Sequence, residues 1–179
     1  AEISSILISP EPPAKRTVEG DLGVYVNVNH VVEKIGMDNL KKEFPDVEEL
    51  LENYKPIPVT EREQQFVERL TKEAVLTSLE RHAGQLRYFY TASGKKTVAE
   101  GKDLTAVQYI IGTGGALTRL PNRKQILESV KTQVKEHELY PTKAATVLTD
   151  EDYILSSLGV LSKSYHDDAL RLLKKSLRI

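Results

Sequence analysis

The stretch Tyr109-Ile110-Ile111-Gly112-Thr113-Gly114-Gly115-Ala116 decides the fold, because an apolar run gives way to three glycines within four residues. Residues 105–111 are predicted to form a buried strand, and residues 123–134 have the apolar spacing of a helix. A strand, a glycine loop and a helix in this order are typical of an α/β protein. At such a turn a flat or anionic ligand can approach backbone that carries no side chain, although the glycines could also serve the turn alone.

Strands and helices alternate along the rest of the chain. Short strands are predicted from the apolar clusters at residues 3–8 and 144–148, and residues 86–90 and 97–99 are predicted to form a hairpin. Thr60 and Glu63 have the spacing of a capping box and predict a helix that ends near Gly84. Further helices are predicted over 30–35 with Asn29 as N-cap, 37–54 with a restart at Pro45, 153–161 and 170–177. The predicted fold class is α/β, with a mixed or parallel sheet and helices on its faces.

The composition is that of a folded protein with little net charge. The chain has 179 residues, of which 40% are hydrophobic and 28% charged, so one domain or two closely packed lobes are expected. A net charge of −1 provides no field that would attract nucleic acid or an anionic membrane. No stretch approaches the roughly 18 apolar residues of a membrane span, and a cytoplasmic protein is expected. The first residue is Ala1 rather than Met, as in a processed chain or a part of a longer one.

Several classes of chemistry lack the residues that they need. The chain has no cysteine, which excludes disulfides, iron–sulfur clusters, thiolate zinc sites and cysteine nucleophiles. Its four histidines are scattered, so no metal site is predicted. No serine lies in a Gly-x-Ser-x-Gly elbow, which disfavours a Ser-His-Asp hydrolase. The sequence therefore assigns no catalytic residue.

The glycine loop does not match the common nucleotide motifs. A dinucleotide fingerprint needs a third glycine in register and an acidic residue about 20 positions on, but the next strand ends only at Asp150. A P-loop fails because no Gly-Lys-Ser or Gly-Lys-Thr closes the loop. Asp21, in Asp21-Leu22-Gly23, is not expected to hold phosphate, because the residues before it are too polar for a buried strand. An NAD-dependent enzyme is therefore a disfavoured alternative.

Residues 109–121 resemble the adenosine motif of the actin-like ATPase superfamily, which includes the seventy-kilodalton heat-shock chaperones. Within that superfamily the chain is similar to the glutamate mutase component L family, called MutL or GlmL, which is unrelated to the mismatch-repair protein of the same short name. The segments that carry this resemblance are Ala14-Lys15-Arg16-Thr17-Val18-Glu19-Gly20-Asp21-Leu22-Gly23, Glu80-Arg81-His82-Ala83-Gly84, Ala99-Glu100-Gly101-Lys102-Asp103-Leu104-Thr105 and Ser157-Leu158-Gly159-Val160-Leu161-Ser162. The resemblance covers nearly the whole chain.

This resemblance implies a ribonuclease H-like, actin-type ATPase lobe, in which residues 37–100 form a small inserted α+β lobe. It implies a reactivase- or chaperone-type ATPase that binds ATP or ADP with magnesium and serves an adenosylcobalamin-dependent glutamate mutase. By the same analogy the adenosine site is formed by Gly112, Thr113, Gly114, Gly115, Ala116, Arg119 and Asp150. Arg119 would lie over the base and Asp150 would border it, although each could instead be the partner of a helix end.

The two phosphate-binding hairpins of such ATPases are not recognisable in this sequence. We therefore expect the C-terminal lobe of a longer protein, with the absent N-terminal half and the mutase subunits as its partners. Without those hairpins the chain alone is not expected to hydrolyse ATP, because phosphoryl transfer depends on metal and donors placed around the phosphates. The alternative is a module whose acidic segment, residues 38–52, docks a mutase subunit without any need for nucleotide.

Overall fold

A computed structural model describes residues 2–5, 15–133 and 137–179 of the chain. The apolar residues Ile6, Leu7 and Ile8, which were expected to extend the first strand, lie outside the described residues, and so does Val134. In chain order the strands are β1 (Glu2–Ser5), β2 (Lys15–Val18), β3 (Gln85–Thr91), β4 (Gly94–Glu100), β5 (Tyr109–Gly112) and β6 (Thr146–Thr149). The α-helices are α1 (Val28–Ile35), α2 (Met37–Glu43), α3 (Val47–Glu52), α4 (Glu61–His82), α5 (Gly115–Arg119), α6 (Arg123–Glu128), α7 (Leu155–Leu161) and α8 (His166–Leu177).

Helix α4 is the longest element, with 22 residues. It begins at the predicted capping box, where Thr60 Oγ1 accepts a hydrogen bond from Glu63 N at 3.2 Å. The Glu63 carboxylate accepts in return from Thr60 N at 2.8 Å and from Val59 N at 2.6 Å. Because these bonds satisfy backbone donors that the helix itself leaves free, they fix its first residue.

Two hydrophobic cores form along α4. The first surrounds the N-terminal half of the helix and contains Leu22, Val31, Val32, Ile35, Leu40, Phe44, Val47, Phe66, Leu70 and Ala74. The second surrounds its C-terminal end and contains Leu79, Leu104, Val130 and Tyr140, with Ile110 of β5 packed against them. The glycine loop therefore follows a strand that rests on the second core.

The described strands form three separate two-stranded sheets, β1–β2, β3–β4 and β5–β6. The first two pairs are antiparallel and the third is parallel. Strands and helices alternate as predicted, and the α/β class is confirmed, but within residues 2–5, 15–133 and 137–179 no single mixed sheet forms. The parallel pair is what positions the candidate site, because its two strands end at Gly112 and Thr149, side by side.

Two predicted starts, those of the first helix and of the strand before the glycine loop, are wrong. Helix α1 begins at Val28 after Asn27, not after Asn29, and the Asn27 amide donates to Gly20 O at 2.5 Å. Strand β5 begins only at Tyr109, because the Asp103 carboxylate accepts from Thr105 N at 2.9 Å and makes a turn there. A strand over residues 105–111 was therefore too long by its first four residues.

The predicted helix over residues 123–134 is shorter and is preceded by another. The chain turns directly into α5 after the loop, and α6 ends at Glu128. The Ser129 hydroxyl donates to Ile126 O at 2.6 Å as the chain tightens into a 3₁₀ turn over Ser129–Thr132. Strand β6 starts at Thr146, two residues later than predicted, and α7 starts at Leu155, because Tyr153 has a φ of 54°.

Helix α8 begins four residues before its predicted start at Leu170 and ends, as predicted, at Leu177. The hairpin β3–β4 and the helix restart at Pro45 between α2 and α3 also agree with the sequence analysis. Within the described parts of the chain, no helix combines the length and the apolar character that a bilayer span requires. The division of the chain into a lobe with an inserted sub-lobe at residues 37–100 stays a prediction.

Candidate functional site

The glycine loop, residues 112–116, leaves the carboxyl end of β5 and enters α5. Packing favours glycine at its first position, because a Cβ atom at Gly112 would lie 2.5 Å from Cδ1 of the buried Leu127 on α6, and that side chain would have to shift. Its second glycine is required by the backbone, because Gly114 has a φ of +95°. The fold therefore accounts for two of the three glycines.

Gly115 is different, because neither packing nor backbone conformation explains it. A Cβ atom there would have no other atom within 4 Å, and its φ lies outside the left-handed range. Gly115 is exposed, as is Thr113 before it. The loop thus presents bare backbone to open space at a position where the fold itself would accept a side chain.

Asp150 directly follows β6 and holds the glycine loop in place through hydrogen bonds. Its side chain is fully buried, and Oδ2 accepts hydrogen bonds from Thr113 Oγ1 at 2.8 Å and Leu155 N at 2.9 Å. Oδ1 accepts from Ser176 Oγ at 2.6 Å and from Ile154 N at 3.2 Å. One carboxylate thereby joins the loop, the start of α7 and the end of α8.

The main chain of Asp150 strengthens this connection. Its N–H donates to Gly112 O at 2.9 Å, and its carbonyl oxygen accepts from Thr118 Oγ1 at 3.2 Å. Gly112 is the last residue of β5 and Thr118 lies on α5. Asp150 therefore contacts both elements that flank the loop, β5 and α5.

The same hydrogen bonds keep the Asp150 side chain ionised. Burial alone would raise the pKa of this carboxyl, because it removes water from the charged form. Donors from Ser176, Leu155 and Thr113 outweigh burial, so the pKa lies below its ordinary value of 3.8. The helix-end role considered in the sequence analysis is thus present at Asp150, which meets the backbone of α7. The border with adenosine stays a prediction.

Arg119 ends α5 on the open side of the loop. Its side chain is exposed and has no hydrogen bond or ion pair with any of the residues described by the structure. The guanidinium is therefore free to meet a ligand, whereas the predicted role over an adenine base is not tested by these contacts. Ala116, on the first turn of α5, is half-buried.

A second carboxylate, Glu151, lies half-buried next to Asp150 and forms an ion pair with a neighbouring arginine. Glu151 accepts from the Thr149 hydroxyl and from Arg123 Nη2, the latter at 2.5 Å. These partners lower the pKa of Glu151, the Thr149 bond most strongly. Because an arginine offsets this charge, Glu151 leaves no uncompensated negative field to repel an anion.

Two residues of this site were missed by the sequence analysis, Ser176 and Thr118. Ser176 is fully buried although it is polar, and it lies two helical turns after the buried Ala169 and beside the buried Leu177. A serine on the apolar stripe of an amphipathic helix signals a buried polar partner, because such a hydroxyl must find a hydrogen bond. Thr118 carries no comparable signal in the sequence.

The turn at Asp21 is occupied by an ion pair. Both of its carboxylate oxygens accept from Arg81, at 2.7 Å and 2.8 Å, and Glu19 accepts from the same guanidinium at 2.6 Å. The hydrogen bonds from Arg81 lower the pKa of the Asp21 carboxyl below its ordinary value. Both Asp21 oxygens therefore have a partner within this chain. Among the described residues, no three histidine or acidic side chains are placed to share a metal ion.

The acidic segment of the alternative hypothesis lies on the surface. Glu48 forms an ion pair with Lys41 at 2.7 Å, and this pair lowers the pKa of Glu48. Glu49 and Glu52 are also exposed, on the same helix α3. These carboxylates are therefore accessible to a partner.

Comparisons with known proteins find the same family that the sequence resembles. A family model described as MutL protein matches residues 1–177. A curated protein of Clostridium tetanomorphum, Protein MutL, is 36% identical over 175 residues. The alignment covers 93% of this chain and 38% of that relative, so the chain spans less than half of the relative's length. No solved structure matches at a significant level.

Proposed function

This chain belongs to the MutL protein family, and we propose that its glycine loop forms one wall of an ATP or ADP site in the complete protein. The family membership indicated by the sequence is confirmed. The binding of a nucleotide is a proposal. The actin-type fold of the complete protein is a proposal as well, because this chain aligns with only 38% of its relative.

Gly115 is the observation that carries the proposal. Gly112 is explained by Leu127 and Gly114 by its φ of +95°, but nothing in the fold requires glycine at 115. A flat ligand laid against the loop does require it, because a Cβ atom would occupy the space of the ligand. An adenosine ring system has the shape that such a wall accommodates.

The neighbouring residues fit the nucleoside part of the ligand. Thr113 Oγ1 donates a hydrogen bond to Asp150 Oδ2 at 2.8 Å and fixes the position of the loop. The wall is therefore formed before the ligand binds. Arg119, exposed at the end of α5, is free to lie over the base, where a guanidinium stacks on a planar ring. Asp150 acts as a positioning residue, because its oxygens are already occupied by donors of this chain.

Phosphates and magnesium belong elsewhere in the complete protein. The described residues of this chain offer no cluster of carboxylates for the metal, and Asp21 is engaged by Arg81. Bound magnesium would neutralise the charge on the phosphates. We therefore propose that this chain binds the nucleoside and does not hydrolyse ATP alone.

The complete protein is proposed to be a reactivase- or chaperone-type ATPase that serves an adenosylcobalamin-dependent glutamate mutase. This proposal rests on the resemblance to the glutamate mutase component L family and goes beyond the name of the curated relative. Mutase subunits would be its partners in that role.

Isothermal titration of ADP into the complete protein, with magnesium, tests the nucleotide site. We expect Gly115→Val to weaken ADP binding at least about tenfold, because the added side chain occupies the ligand's place. Gly159→Val is the matched control, since Gly159 is exposed on α7 with no atom within 4 Å of its Cβ position. Equal ADP affinities in the two variants and the unmodified protein would contradict the proposal. NAD in the same titration tests the disfavoured dinucleotide alternative.

Docking through the acidic helix is the second candidate, favoured by the exposure of Glu48, Glu49 and Glu52. Charge reversal to lysine at all three positions would weaken capture of mutase subunits and leave ADP affinity unchanged. If the reversal leaves capture unchanged, the acidic helix is not the docking surface.

A further inference from the structure

The parallel pair β5–β6 is unusual because, in the described residues, it consists of two strands only. Parallel sheets are found with helices on both faces and with several strands, since pairing in the parallel direction is less stable per residue than in the antiparallel direction. A two-stranded parallel sheet is therefore not expected to be a finished structure. Its unpaired edges show where it is incomplete.

The backbone direction identifies the free edge of β5. Thr146 N donates to Gln108 O at 2.8 Å, and Asp150 N donates to Gly112 O at 2.9 Å. Because alternate residues of a strand point their backbone groups to opposite sides, residues 108, 110 and 112 face β6. Tyr109 and Ile111 consequently direct their N–H and C=O groups away from β6, where they have no partner among the described residues.

The side chains of the same two residues are also uncovered. Tyr109 is 55% exposed and Ile111 is 41% exposed, which corrects the prediction of a buried strand here. On the opposite face, Ile110 packs against the second core and Gly112 against Leu127. One face of β5 is thus finished, whereas the other face is apolar and open.

Strand β5 has none of the features that keep an exposed edge from pairing. Natural edge strands carry lysine, proline or a bulge, and Tyr109–Gly112 contains no charge and no proline. Its register with β6 is regular over all four residues, without a bulge. An edge with this composition is suited to pairing and not to solvent.

We propose that the free edge of β5 pairs with a β-strand from the part of the complete protein that lies outside this chain. The relative is long enough to supply it, because this chain aligns with only 38% of that protein. The added strand would satisfy the backbone of Tyr109 and Ile111, and its side chains would help to cover theirs. This inference rests on the strand edge alone and does not depend on the proposed nucleotide.

Residue-resolved hydrogen exchange of the complete protein tests the strand pairing. The internal reference is the pair of amides that face β6, Ile110 and Gly112. We expect the Tyr109 and Ile111 amides to exchange within about tenfold of that reference, because all four would be hydrogen bonded. Exchange at Tyr109 and Ile111 more than about tenfold faster than the reference would overturn the proposal. Rapid exchange at all four positions would overturn it as well.

Two further measurements distinguish a strand of the complete protein from a second copy of the protein and from a cover that contacts side chains only. Protection of Tyr109 and Ile111 that disappears on dilution would show a second copy at the edge and would overturn the proposal. In the complete protein, Ile111→Pro should lower the melting temperature more than Ile111→Ala, because proline removes the N–H donor that the added strand needs. An equal or smaller effect of proline would mean that the cover contacts side chains only, and the proposal would fail.

Discussion

The hydroxyl of Ser176 donates a hydrogen bond to Asp150 Oδ1 at 2.6 Å, with both side chains fully buried. This contact joins the last helix to the residue that braces the glycine loop. Helix α8 also meets the chain near Asp150 through the backbone, where Glu151 N donates to Ser176 O at 3.2 Å. The C-terminal helix is therefore a structural support of the candidate site.

Replacing Asp150 tests this support. Asp150→Asn should lower the free energy of unfolding by about 1–3 kcal/mol, because buried donors from Thr113 and Ser176 would lose part of their acceptor. Asp167→Asn, on the exposed side of α8, is the control and should change stability by less than about 1 kcal/mol. Urea denaturation measures both, and equal values would show that Asp150 does not brace the fold.

Acid should weaken the same brace. Because the pKa of Asp150 lies below its ordinary value of 3.8 in the folded chain, its contribution to stability is present above that value. The contribution is lost as the pH falls through the lowered folded pKa. Between about pH 4.5 and 2.5, we expect the stability of Asp150→Asn towards urea to depend less on pH than that of the unmodified protein. Parallel pH dependences of the two proteins would contradict this.

A buried histidine should add a second pH dependence at a higher range. His82 is 1% exposed, bonds Thr17 Oγ1 at 2.8 Å, and has its pKa lowered by burial and by the charge of Lys102. Because the unfolded chain then binds a proton more readily, stability falls as the pH drops below the ordinary value of 6.5. His82→Gln should remove this loss between about pH 7.5 and 5.5. Thermal unfolding at the two pH values measures it.

Two glycines at the base of the hairpin offer a test of packing. A Cβ atom at Gly84 would lie 2.6 Å from Lys102 N, and Gly101 opposite it has a φ of +91°. Gly84→Ala should therefore destabilise the chain by about 1–3 kcal/mol, because backbone on both sides must shift. Gly159→Ala should be neutral or slightly stabilising, since its Cβ position is open and it lies in a helix. Similar melting temperatures would contradict the close approach.

Replacing Arg119 tests whether its side chain contacts the ligand, because this side chain is not expected to contribute to the stability of the fold. Arg119→Ala should reduce ADP affinity of the complete protein about tenfold and leave its melting temperature without ligand unchanged, because the exposed side chain has no partner among the described residues. Lys124→Ala, also exposed, is a control for the loss of one positive charge nearby. If both variants bind ADP equally well, Arg119 does not contact the nucleotide.

Local signals predicted the parts of the fold that depend on neighbours in the sequence. The capping box at Thr60 and Glu63 is present atom by atom, because its hydrogen bonds join residues three apart. Gly36 ends α1 with a φ of +86°, as a glycine after a helix indicates. The N-cap predicted at Asn29 is wrong, because Asn27 is equally suited to start the helix and its side-chain amide also donates to Gly20 O.

The candidate site was predictable in position but not in its contacts. The three glycines and Asp150 are recognisable in the sequence. The contacts that explain Gly112 and Asp150, however, involve Leu127 and Ser176, which are distant in the sequence. The exposure of Tyr109 and Ile111 was not predictable either, because an apolar strand reads the same whether its neighbours are present or absent. Hydrophobic pattern indicates what a strand can pack against and not which chain provides it.

Helix α4 has a consequence for how the chain unfolds. Its 22 residues extend about 33 Å and contribute to both hydrophobic cores, through Phe66 and Leu70 at one end and Leu79 at the other. Neither core can open without exposing the side of this helix that it covers. We expect the two cores to melt in one cooperative transition, so that damage near the capping box is felt at the distant glycine loop as a loss of shared stability.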